Sequence, residues 1–279
     1  MKEKEQQIPL CEVLVKTAYQ TQITYPDDKN CEKPIGYGSG FIVRYKNVPF
    51  FITADHVIHG DDYHLKGRTG IDCVISIFNN VRPEADFVST LVTPLGGFYY
   101  MERFDLLKPE DIPELIDISL CIMKPINFQY PFLTEEVHFH EITVKPGEHK
   151  YQIPENLLVE PNEEVNYFVY GKIKHQMKGI VLYREDTLKE GLRYVCKSGD
   201  YHLLNTSDVI TDYNDWAGLS GSPVLSESGE CIGVLCSILE NSNSLWVMPV
   251  NKIKMLMDIA LMQEEYINNE KTPDVSTGC

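Results

Sequence analysis

The chain is a succession of short runs rich in branched and aromatic residues, each closed by glycine, proline, asparagine or aspartate. "GSGFIVRYKNVPFFITADHV" is the clearest case. Gly40–Arg44 and Val48–Thr53 read as two strands, with Tyr45, Lys46 and Asn47 between them as a hairpin turn. "DCVISIFNN", "DFVSTLVT", "DISLCIMK", "VHFHEITV", "VNYFVYGKI", "KGIVLYRE", "SPVLS", "ECIGVLCSIL" and "SLWVMPV" repeat the pattern. Runs this short cannot each bury a face alone, so they must pair laterally. Many short strands with turn signals between them predict an all-β sandwich or barrel.

One segment breaks the rule. From about Asn251 to Ile267, Ile253, Leu256, Met257, Ala260 and Leu261 recur at helical spacing, which predicts a helix with one apolar face. Asn251 is the expected N-cap. Met255, Ile259 and Met262 widen the apolar stripe, so the helix is expected to pack broadly onto a sheet. The tail "EKTPDVSTGC" reads as a polar end. "KPINFQYPF" reads as a link between two β units, giving expected divisions of 1–130, 131–250 and 251–279.

With 279 residues, 43% of them hydrophobic, the chain can bury a sizeable core. Aromatic residues make up 10%, which argues against disorder. The formal net charge of -16 repels phosphate backbones and anionic lipid, so nucleic acid and membrane surfaces are not expected partners. The first residues have no apolar core of a secretory signal, and no window is apolar enough to span a bilayer. The eight cysteines are therefore expected as free thiols in a reducing, cytoplasmic setting. Cys121, Cys231 and Cys236 lie inside apolar runs and read as small core residues.

The chemistry concentrates in three places. Ser220 lies in "GLSGSP", among small residues that permit a tight turn. Gly218 and Ser220 can offer two backbone N–H groups to an oxyanion. A serine hydroxyl needs a base and a group that orients the base. His56 follows the apolar strand that ends at Thr53, and Asp117 opens the apolar run "DISLCIM". His59 competes with His56 for the base, and Asp105 and Asp111 compete with Asp117. "GYGSG" lacks the strand, helix and Lys-Ser/Thr of a phosphate-binding loop and reads as glycines opening a hairpin. His138 and His140 fall on one face of the strand "VHFHEITV". They lack the further ligands a metal would need. Asp61–His64 reads as a polar loop.

The segments T-A-x-H-V, D-I-S-L and G-x-S-G-S-P, in this order, resemble the chymotrypsin-like (trypsin-like) serine protease family over about residues 36–250. In style they are closest to bacterial, HtrA-like intracellular members, here with no PDZ domain expected. The resemblance implies two six-stranded antiparallel β-barrels with a C-terminal α-helix. It implies a Ser220 nucleophile, a His56 base, an Asp117 orienting group and an oxyanion hole at Gly218 and Ser220. It places the "CIGVLCSI" strand along the substrate backbone, with Cys236, Ser237 and Ile238 near the first specificity pocket and Asn214 and Asp215 at the floor of that pocket. Ser222 stands where the family usually has glycine and reads as a turn residue. No cofactor is implied, and the expected partner is a protein or peptide substrate.

There are departures. Leu219 stands where secreted members carry the Asp that pairs with a freshly cut N-terminus. The stretch 85–115 is long and reads as a loop that covers or gates the cleft. Two alternatives therefore stay open: a protease switched on by a protein partner, and a catalytically silent relative that binds peptides in the same cleft.

Overall fold

The computed structural model describes residues 8–28, 33–59, 73–81, 90–109, 113–123, 136–145, 147–178 and 181–270. The expected link at 124–132, Asp61–His64, Asp111 and the tail beyond Glu270 lie outside them. No helix among the described residues is long and apolar enough to cross a membrane.

The architecture is mostly β, with one long C-terminal helix. The first half is built from β1 (Tyr19–Thr24), β2 (Gly36–Tyr45), β3 (Val48–Thr53), β4 (Val74–Val81), β5 (Thr90–Leu95), β6 (Phe98–Arg103) and β7 (Glu114–Ile122). They lie in the order β5-β4-β1-β2-β3-β7-β6. The N-terminal part of β2 pairs with β1, and beyond Gly40 the same strand pairs with β3, so β2 carries the sheet around a bend. Lys46 and Asn47 turn the β2–β3 hairpin at positive φ (47° and 64°), in a two-residue loop rather than the three expected.

The expectation of two closed barrels is corrected here. Among the described residues the first sheet is a curled half-barrel whose edges, β5 and β6, do not pair. They follow each other through Gly96 and Gly97 without reversing as a hairpin, and Pro94 in edge strand β5 has no N–H to donate. The strand β6 was not foreseen, because its sequence falls in the stretch read as a covering loop.

The second half does close. Strands β11 (Tyr167–Lys178), β12 (Val181–Ser198), β13 (Tyr201–Asn205), β14 (Pro223–Ser226), β15 (Cys231–Ile238) and β16 (Ser244–Pro249) form a barrel in the order β11-β12-β13-β16-β15-β14. Its core gathers Tyr167, Val169, Leu192, Leu204, Val224 and Ile232. Between the halves, β8 (Val137–Phe139) and β9 (Ile142–Val144) form a small hairpin, and β10 (Ile153–Pro154) pairs in parallel with β2. "VHFHEITV" is thus a hairpin, not one strand. His140 sits in its turn at φ 48°, so His138 and His140 do not share a strand face.

An N-terminal helix α1 (Leu10–Thr17), unforeseen in the sequence, buries Leu14 and Val15 in the core shared by both halves. The single turn α2 (Asp55–Ile58) follows β3. The helix α3 (Val250–Glu270) buries Ile253, Leu256, Met257 and Ala260, the predicted face. It starts one residue before Asn251, which is therefore not its N-cap. Met255, Ile259 and Met262 are exposed, contrary to expectation. A 3.6-residue period fixes which side chains share a face, but the width of the covered stripe depends on what lies opposite.

Candidate functional site

The second strand of the first hairpin ends at Thr53, and α2 begins two residues later. That places His56 at a strand end with its ring over β7. The His56 Nδ1 lies 3.0 Å from each carboxylate oxygen of Asp117, and the His56 backbone N–H donates to Oδ1, also at 3.0 Å. Asp117 is buried within β7, so its carboxylate is fixed by the strand and by this double contact. Burial alone would favour the neutral His56 ring. The hydrogen bond and charge of Asp117, with the charge of Asp55 added, overcome it and hold the ring above its ordinary range. For Asp117, burial pushes the carboxyl up, but the His56 ring, its backbone N–H and the Cys236 thiol together bring it below its usual value.

Ser220 comes from the loop between Trp216 and β14. Leu219 N–H donates to Trp216 at 3.0 Å and Ser222 N–H donates to Leu219 at 2.9 Å, which closes the loop around Ser220. Gly218 and Gly221 take φ of 106° and 91°, a region that disfavours side chains. A Cβ on Gly218 would also meet the Lys172 carbonyl at 2.6 Å, and one on Gly221 the Ser39 carbonyl at 2.0 Å. Leu219, the departure noted in the sequence, is fully buried in the barrel core.

The loop is tied to the other half of the molecule by a residue the sequence reading passed over. Ser39 of β2 donates its N–H to the Ser220 carbonyl at 2.8 Å and its hydroxyl to the Gly218 carbonyl at 2.7 Å. The Ser39 carbonyl in turn accepts from the Thr53 hydroxyl at 2.7 Å. Its signal was present in "GYGSG", but the glycines there were explained by the hairpin alone. Among the described residues, neither the Gly218 nor the Ser220 amide donates to a backbone carbonyl.

His56, Asp117, Ser220, Cys236, Ser237 and Ile238 line one cavity of about 430 Å³. Tyr201, Tyr213, Trp216 and Leu235 complete it. Asn214 and Asp215, the expected floor, are not among its lining residues. Asp215 lies 3.2 Å from Lys174 and faces a separate depression on the other side of Trp216. The strand β15 pairs with β14 only as far as Val234, whereas its pairing with β16 runs on to Ile238. The segment Cys236–Ile238 thus presents one strand edge to the cavity, the arrangement to which an extended peptide can add. The Ser220 hydroxyl donates to the Cys236 carbonyl at 3.4 Å. A hydroxyl has one proton, so in this rotamer it is not offered to His56.

The six described cysteines, Cys11, Cys73, Cys121, Cys196, Cys231 and Cys236, form no disulfide. Among the described residues no group of three His, Cys, Asp or Glu side chains is placed to hold a metal ion.

No family model matches the chain. No curated protein matches it either. Among solved structures it is similar to the serine endoprotease from Yersinia pestis, over 91% of this chain and 67% of that one, at 12% identity and a TM-score of 0.45.

Proposed function

We propose that the chain is a serine endopeptidase in which Ser220 attacks the scissile carbonyl. His56 takes the hydroxyl proton and returns it to the leaving amine, Asp117 stabilises the imidazolium, and water then hydrolyses the acyl-enzyme. The observation that carries this reading is the opening of the His56–Asp117 pair and Ser220 into one cavity. The amides of Gly218 and Ser220 would bind the oxyanion, and the edge of β15 would bind the substrate backbone. Among the described residues, the cavity walls carry no charge apart from His56 and Asp117, so an apolar or aromatic side chain fits before the cleaved bond. Selection of a basic side chain by Asp215 is not supported, because Asp215 is turned to Lys174.

One observation favours a second reading, a gated or silent site that binds peptides: the Ser220 proton is directed to Cys236. A fluorophosphonate probe separates the two. The expected result is covalent labelling of the wild-type chain that is lost in Ser220→Ala and in His56→Ala. A folded wild-type chain that stays unlabelled, alone and with candidate protein partners, favours the binding module. A peptide library then reads the side-chain preference.

A further inference from the structure

The sequence places aspartate immediately before His56, and the structure gives that residue its own set of partners. Asp55 is fully buried. Its carboxylate accepts a short hydrogen bond from the Ser119 hydroxyl and lies 3.0 Å from Nδ1 of His59. Ser119 is two residues beyond Asp117 on β7, so the two side chains share one face of that strand. The pairs "DH" of α2 and "D-x-S" of β7 are therefore matched reciprocally. His56 goes to Asp117, and Ser119 goes to Asp55.

His59, one turn on, is a quarter exposed and meets the ring of Tyr100 edge-on at 5.0 Å. Behind the Ser220–His56–Asp117 group thus stands a second serine, aspartate and histidine array, whose carboxylate is dry and whose imidazole reaches solvent. A buried carboxylate next to an imidazole acts through a medium that screens poorly.

We propose that Asp55, held by Ser119, is a second positioning carboxylate for His56, and that His59 counters its charge from the solvent side. Asp55 then favours the imidazolium that forms when His56 takes the Ser220 proton, and protonation of His59 weakens that support. Among the described residues, the other titratable groups that line the cavity with His56 are Asp117 on β7, Tyr201 on β13, Tyr213 and Cys236 on β15. Burial raises both the Tyr201 phenol and the Cys236 thiol, so these two stay neutral over the range in which imidazoles titrate.

The inference rests on reading His56 as the base, but its test does not need turnover. Histidine ring signals are followed by NMR against pH in the wild type, Asp55→Asn and His59→Gln, with thermal melts as a folding control. Asp55→Asn should lower the His56 midpoint by about half a pH unit or more, roughly threefold in proton affinity. His59→Gln should raise it, because the remaining carboxylate is less countered. A merely structural role would lower stability without moving the two midpoints in opposite directions. An unmoved His56 midpoint in folded Asp55→Asn overturns the proposal. If Asp55→Asn does not fold, an unmoved or lowered midpoint in His59→Gln overturns it. If the His56 midpoint moves as stated in the two variants while the wild-type chain takes no fluorophosphonate label, the protease reading falls and the effect of Asp55 and His59 on His56 stands.

Discussion

Ser39→Ala tests whether the contact between the two halves holds the nucleophile loop in shape. The hydroxyl of Ser39 is the donor at 2.7 Å to the Gly218 carbonyl, and Ser39 is 1% exposed. Its removal leaves that carbonyl without the partner, at a cost of about 1–3 kcal/mol. For a chain of this size that is a fall in Tm of about 2–5 °C. The loop will not unfold, because the backbone N–H of residue 39 still donates to the Ser220 carbonyl. The peptide following Gly218 loses one of its two tethers, however, keeping only the Leu219 N–H bond to Trp216, and it joins the two amides proposed for the oxyanion. Loss of one such donor outright costs about 10²–10³ in rate, so a donor that is mobile but present should cost about 10- to 100-fold. The assay is the second-order rate of fluorophosphonate labelling, measured beside thermal melts. Thr53→Val is the control. It removes the 2.7 Å hydrogen bond to the Ser39 carbonyl and keeps the shape of the side chain, so it should lower Tm by a comparable amount with little effect on labelling. Unchanged labelling in Ser39→Ala, or an equal loss in both variants, would refute the idea that Ser39 shapes the site.

Two further outcomes follow from the burial pattern. Leu219→Ala should destabilise by about 2–5 kcal/mol in a denaturant titration, because Leu219 is fully buried in the barrel core; an unchanged midpoint would show that its packing contributes nothing. His175 is stacked on Tyr37 at 4.3 Å, and burial, with the charges of Arg184 and Lys172, pushes it from 6.5 down to about 4. The unfolded chain then binds the proton first. Stability contributed by the neutral ring is present above about pH 6.5 and is lost as pH falls toward 4. His175→Phe should flatten the dependence of Tm on pH in that window, and an unaltered slope between wild type and variant would count against it.

The candidate site was legible where the signal was local. His56 was marked by the strand ending at Thr53, Asp117 by the start of an apolar run, and Ser220 by small residues around it. The Ser39 contact was not legible, because its meaning arises only where β2 meets a loop 179 residues away. The second carboxylate array was hidden for the same reason. Asp55 and Ser119 are ordinary polar residues in sequence and become partners only when α2 lies against β7. The position of Asp215 before Ser220 says nothing of Lys174, which approaches it from β11.

By itself, then, the sequence determined the class of structure: short runs that must pair as strands, one amphipathic helix, and three chemically suited residues at the ends of elements. These follow from backbone propensity and side-chain periodicity, which act over a few residues. Only the tertiary structure decided that the second sheet closes while the first, among the described residues, stays open, which stripe of the last helix is covered, and which aspartate meets which histidine. Those outcomes depend on contacts between segments far apart in the chain, whose free energies exist only once the halves are brought together.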